Sequence, residues 1–284
     1  MLIVDETQAD LAAMILADFG KLRSGAVPGR DLVDWLHYRA RRVAERPRTV
    51  LMSAEAQTHS AAFPAIDDIA TALRMGAPMT RWLSNSIRKR KTDPKADLMF
   101  NQWKVTHFHI GPTHRPGARA EQGNLILFAH IGADTAALLD VQAHRAWTRT
   151  DLLRILLRTD PTAMHDLGST QGPPLTDEQH KVLRRKHTTG PITIDGRAYV
   201  APGGALMGSG DGLRFRVMAD HLAFIIQRAL YEIRTNTLQA SLLQCLAGQI
   251  GLPVRLGVRL DRGIFVVYDK SRGLDLMQLN TVLA

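Results

Sequence analysis

The chain has 284 residues, 45% hydrophobic and 22% charged, with 36 Lys and Arg against 27 Asp and Glu and one cysteine. That composition is too apolar for a disordered tail and sufficient for one large or two modest cores, while the lone Cys245 excludes an internal disulfide and a cysteine-based zinc site and fits a reducing, cytoplasmic setting. No basic-then-apolar leader opens the chain and no window approaches roughly 18 uninterrupted apolar residues, so neither a secretory signal nor a membrane contact is expected, and the net charge of +9 points to an anionic partner, nucleic acid first.

Residues 1–92 read as a helical N-terminal region. Thr7-x-x-Asp10 resembles a capping box ahead of LAAMILADF, which stops near Gly20. A second helix begins near Asp31 and carries Leu32, Val33, Trp35, Leu36 and Val43, with His37 in a structural role. Shorter helical patterns cover 66–75 and 79–90, and the second runs into the basic stretch Arg88, Lys89, Arg90 and Lys91. Between residues 81 and 119 nine cations face only Asp93 and Asp97, so most of the excess positive charge has one address.

Residues 93–168 read as a basic, His-rich antiparallel module. From Trp103 the pattern turns to period 2, so Trp103, Val105, His107 and His109 share one strand face up to Gly111-Pro112. A polar loop with His114, Arg115 and Arg119 leads to the apolar run 125–131, which contains His130. Gly132-Ala133-Asp134 then turns into a returning strand over 136–141, and Thr148-x-x-Asp151 starts a helix that ends at Asp160-Pro161. Residues 169–284 read as an α+β region: a short helix before His187, a hairpin around Asp195-Gly196, a glycine-rich loop at 203–212, helices at 219–234 and 237–250, and a hairpin around Arg262-Gly263. The glycine cluster lacks a Gly-Lys-Ser/Thr ending and follows a hairpin, which favours a bulged loop over a phosphate loop. Cys245 reads as an inert core thiol.

The central module carries the candidate chemistry. Two-residue spacing sets His107 and His109 side by side, about 6 to 7 Å apart. Such a pair suits metal-independent RNA cleavage, in which a neutral imidazole takes a proton from a ribose 2′-hydroxyl and a protonated one donates to the leaving oxygen. Lys104, Arg115 and Arg119 are the candidate phosphate ligands, extended by Arg88, Lys89, Arg90 and Lys91. Asp140-x-x-x-His144 completes the candidate set as a carboxylate that orients an imidazole, or as a turn-stabilising pair. Three alternatives stay open: a His-rich metal site using Asp140 or His144, a structural role for the strand histidines, and a nucleic-acid-binding or scaffold protein with no chemistry. No metal or cofactor is expected under the favoured reading.

The pattern Trp103-x-x-x-His107-x-His109-x-Gly111, Leu125-x-Leu127-Phe128, Asp140-x-x-x-His144-x-x-Trp147 resembles uncharacterised bacterial proteins of plasmid and mobile-element neighbourhoods. The compact basic module is similar in character to RelE-like ribonuclease toxins, over about a quarter of the chain. That resemblance implies a toxin or phage-defence effector that cuts RNA with side chains alone and is restrained by an inhibitory or antitoxin protein, with a homodimer as an option. The chain is far longer than such toxins, and its module lacks their catalytic tyrosine. The expected fold is α+β.

Overall fold

A computed structural model describes residues 2–22, 29–88, 97–112, 120–121, 123–143, 150–169, 173–208, 211–247 and 252–279. In chain order its elements are β1 (Ile3–Asp5), α1 (Thr7–Phe19), α2 (Arg30–Arg41), β2 (Thr49–Met52), α3 (Ala54–Ser60), α4 (Ala65–Met75), α5 (Asn85–Arg88), α6 (Leu98–Trp103), β3 (Val105–His109), β4 (Leu125–Ile131) and β5 (Thr135–Ala143). There follow α7 (Thr150–Thr159), β6 (His165–Ser169), α8 (Asp177–Arg185), β7 (Ile192–Ile194), β8 (Arg197–Val200), α9 (Leu213–Thr235), α10 (Ala240–Ala247), β9 (Val254–Asp261), β10 (Ile264–Asp269) and β11 (Leu274–Leu279). This is an α+β fold. Among the described residues no helix is long and apolar enough to cross a membrane.

The chain forms two compact units, Met1–His37 with Phe215–Leu283, and Tyr38–Arg214. In the first, a sheet of order β1-β9-β10-β11 joins the two ends of the chain, with β1 parallel to β9 and the later strands antiparallel. Leu11 and Ile15 of α1 and Val254, Leu256 and Val258 of β9 are all buried. Trp35 is fully enclosed, donates from its indole nitrogen to Asp18 at 2.8 Å and lies 6.1 Å from the Phe265 ring. His37 stands edge-on to Phe215 at 5.1 Å, within the core. The expected capping box is not made: Thr7 is already helical and donates its hydroxyl to Asp5 at 2.7 Å, while Asp10 accepts from the Val258 amide at 3.0 Å. Cys245 is exposed, not a core thiol.

The second unit holds a four-stranded sheet of order β2-β5-β4-β3 and a three-stranded sheet of order β6-β8-β7. β3, β4 and β5 form the expected antiparallel meander, and β2 adds a parallel edge to β5. One apolar cluster joins Val105, Ile126 and Phe128 of the larger sheet to Leu152, Leu153 and Leu156 of α7 and to Ile192, Ile194 and Tyr199 of the smaller sheet. The strand reading begins too early: Trp103 is helical, because Asp97 caps α6 by accepting from the Phe100 amide at 3.2 Å and Lys104 closes it in the left-handed region, φ 54°. Asp97 also pairs with Arg41 at 2.9 Å, both side chains being buried.

Candidate functional site

Alternation on β3 and β4 places Val105, His107 and His109 beside their cross-strand partners His130, Phe128 and Ile126. Cross-strand partners share a sheet face, so three histidines and three apolar residues form one surface. His107 and His109 stand nearly perpendicular, at 77°, with ring centroids 5.6 Å apart, and His107 lies 6.5 Å from Phe128. The two are only 5% and 2% exposed. The far edge of β3 is held at His109, whose amide donates to the Trp82 carbonyl at 2.8 Å. Arg81 lies 3.9 Å over the Trp82 ring and pairs with Asp68 at 3.0 Å.

Beyond β3 the chain leaves at Pro112 and is described again at Ala120. Glu121 donates its amide to the Pro112 carbonyl at 3.3 Å, and Ala120 donates to Arg81 at 3.1 Å. A Cβ at Gly111 would fall within 2.7 Å of the Glu121 carbonyl oxygen, so this close approach requires glycine. Both ends of the segment that contains Arg115 and Arg119 are therefore fixed near His109. Arg115 and Arg119 themselves, with Lys89, Arg90, Lys91 and His144, lie outside the described residues. Arg88 is the last residue of α5.

Lys104 is the residue that closes α6. It precedes β3 by one residue, about 10 Å along the strand from His107. Its electrostatic neighbour is Arg214, and burial followed by that charge lowers its pKa. His130 shares this environment. Burial, then Lys104, push its pKa down to about 4 against an opposing pull from Asp160, with a smaller push from Arg214. Arg214 lies 4.6 Å over the Phe100 ring, and burial lowers its own pKa to about 9. His130 belongs to the histidine-rich cluster read from the sequence, though not to its acid and base candidates; Arg214 does not belong to it. Strand alternation could have put His130 on the face, but nothing local announces Arg214.

Asp140 sits opposite Phe128 at a bulge in the β4–β5 ladder. Its carboxylate accepts from its neighbours, the Val141 amide at 2.8 Å and Gln142 Nε2 at 2.7 Å. The imidazole beside it is His59 of α3, with Nε2 3.4 Å from Oδ1, a partner the sequence does not suggest because it is 81 residues distant. The glycine-rich loop is a tight packing element. Gly203 donates its amide to Gln102 at 2.8 Å, and a Cβ there would fall onto the Asn101 carbonyl oxygen. Leu206 and Gly212 bridge across the loop. Among the described residues no group of three His, Cys, Asp or Glu side chains is placed to hold a metal ion. The chain matches no protein-family model, no curated protein and no solved structure.

Proposed function

We propose that the protein binds RNA and cleaves it without a metal, using His107 and His109 as the acid and base. The observation that supports this is the pair itself: two imidazoles 5.6 Å apart on one strand face, near the fixed ends of the segment that carries Arg115 and Arg119. In the reaction the neutral ring takes the 2′-hydroxyl proton and the 2′-oxygen attacks phosphorus. The 5′-oxygen leaves with a proton from the charged ring, giving a 2′,3′-cyclic phosphate and a 5′-hydroxyl. Arg115, Arg119 and the basic stretch 88–91 hold the strand through its phosphates. In this reading the protein is a toxin or defence effector, kept in check by an inhibitory protein partner.

A second reading, RNA binding without chemistry, is favoured by one specific observation: both rings are almost completely enclosed. Purified protein incubated with RNA and with DNA, with and without EDTA, separates the two. Cleavage of RNA alone that survives EDTA is expected, and His107→Ala and His109→Ala should each reduce it by about 100-fold or more. Retained RNA binding without any cleavage would establish the second reading. EDTA-sensitive cleavage would overturn the metal-free mechanism.

A further inference from the structure

We propose that Lys104, His130 and Arg214 form a phosphate-monoester site at the end of α6, separate from the His107/His109 pair. The proposal deepens the RNA reading by naming where a strand terminus is held, and rests on it only for the source of the phosphate.

Three elements bring the groups together. Lys104 closes α6 and donates its amide to Phe100 at 3.1 Å, while Arg214 covers the ring of that same Phe100. His130 is the cross-strand partner of Val105, the residue after Lys104. The glycine-rich loop leading to Arg214 is fastened to the same end of α6 through Gly203. His130 is 6% exposed, its Nε2 is buried without a hydrogen-bond partner among the described residues, and its neighbours on the flanking strands are the apolar Val105 and Ala137. A buried imidazole nitrogen in that condition is costly unless something completes it.

Two cations and one carboxylate act on His130. Lys104 and Arg214 disfavour its protonation, and Asp160 is the carboxylate that acts against them. Asp160 is itself engaged, accepting from the Thr162 amide at 3.1 Å and hydroxyl at 2.6 Å. Asp97, which acts on Arg214, is held by Arg41 at 2.9 Å. Arg214 also stands in the first turn of α9, where the helix dipole adds to its charge instead of offsetting it. A positive potential concentrated in low dielectric, with one ring nitrogen and a part-exposed lysine as donors, suits a compact dianion. Access decides between phosphate classes. A backbone diester carries a sugar on two of its oxygens and a terminal phosphate on one, so the terminal phosphate is the form proposed for a residue as enclosed as His130.

The test uses the full chain labelled with ¹⁵N at histidine. Inorganic phosphate, against sodium chloride of matched ionic strength, should move the His130 titration upward from about 4, because a bound phosphate anion favours the charged ring. A 5′-phosphorylated hexaribonucleotide should bind about tenfold or more tightly than its 5′-hydroxyl twin, and Lys104→Gln should remove most of that difference, as expected for losing one charge-assisted contact. His107→Ala should abolish RNA cleavage yet leave phosphate binding intact, so the two readings fail separately. No response of His130 to phosphate, or undiminished binding by Lys104→Gln, would overturn the site. Phosphate binding with no preference between the twins would overturn its assignment to a strand end.

Discussion

His130 is buried, and the consequence is a pH dependence of stability with a definite sign. Its ring titrates near 4 in the folded chain, pushed there by burial and then by Lys104 and Arg214, against an ordinary value of 6.5. Between those values the unfolded chain binds the extra proton, so stability falls as the pH drops from about 6.5 to about 4. The full effect is on the order of 3 kcal/mol. Urea unfolding of the wild type and of His130→Gln at intervals across that range should show the wild type losing that much more stability than the variant; parallel curves would show that the ring is not shielded in this way. At this scale the sequence is a partial guide. Period 2 correctly gathers His107, His109 and their apolar companions onto one face, because that alternation is a local property of an extended chain. How little of each ring reaches solvent depends on α7 and the second sheet packing over that face, which no window around residue 107 contains. His59 beside Asp140 and Arg214 beside Phe100 are invisible for the same reason.

The short helix α6 decides where the histidine strand begins. Its apolar residues Met99, Phe100 and Trp103 fit a helical face and a strand alternation almost equally well, and the period-2 run from Trp103 onward makes the strand look longer than it is. Asp97 settles the competition twice over, by capping the first turn and by pairing with buried Arg41. Asp97→Ala removes the cap and leaves a buried guanidinium without its carboxylate, so a loss of about 3–5 kcal/mol in urea unfolding is expected, with Asp97→Asn retaining more because its side-chain oxygen still accepts from Phe100. Equal losses for the two variants would mean that the cap contributes nothing. Elements with strong internal signals are legible: the boundaries of β4, the left-handed Gly20 that ends α1, and the Asp195-Gly196 turn with φ of 49° and 76°. The strands that escape are β1, β2, β6 and β11. Of these, β1 and β2 are three and four residues long and are defined by parallel partners far along the chain.

Across the whole molecule, the feature with most reach is the joining of the two ends. Lys270 bridges Glu6 at 3.0 Å and Asp10 at 2.5 Å, and Arg255 pairs with Glu6 at 2.7 Å. These cations lower the Glu6 pKa, through side-chain hydrogen bonds first. Gly257 leaves the room this requires, since a Cβ there would fall onto the Lys270 side chain and within 2.7 Å of Asp10. Because the group is partly solvated, Lys270→Met should lower the melting temperature by at most about 2–4 °C, less in high salt. A larger loss that salt does not change would point to packing, not charge. The pairing of residues about 250 positions apart leaves no trace in local pattern.

That pairing also orders events during synthesis. Tyr38–Arg214 is continuous in sequence and can close its own core as soon as it has emerged. β1 and α1 are made before that stretch, yet β1 has no ladder partner until β9 follows. β1 and α1 are thus made early yet find their place late, and the Leu11 and Ile15 face that the fold buries must wait until β9 has been made. A circular permutant that places residues 2–22 after the C-terminal strands, through a linker long enough to cross from β11 to β1 at the other edge of the sheet, would shorten that wait.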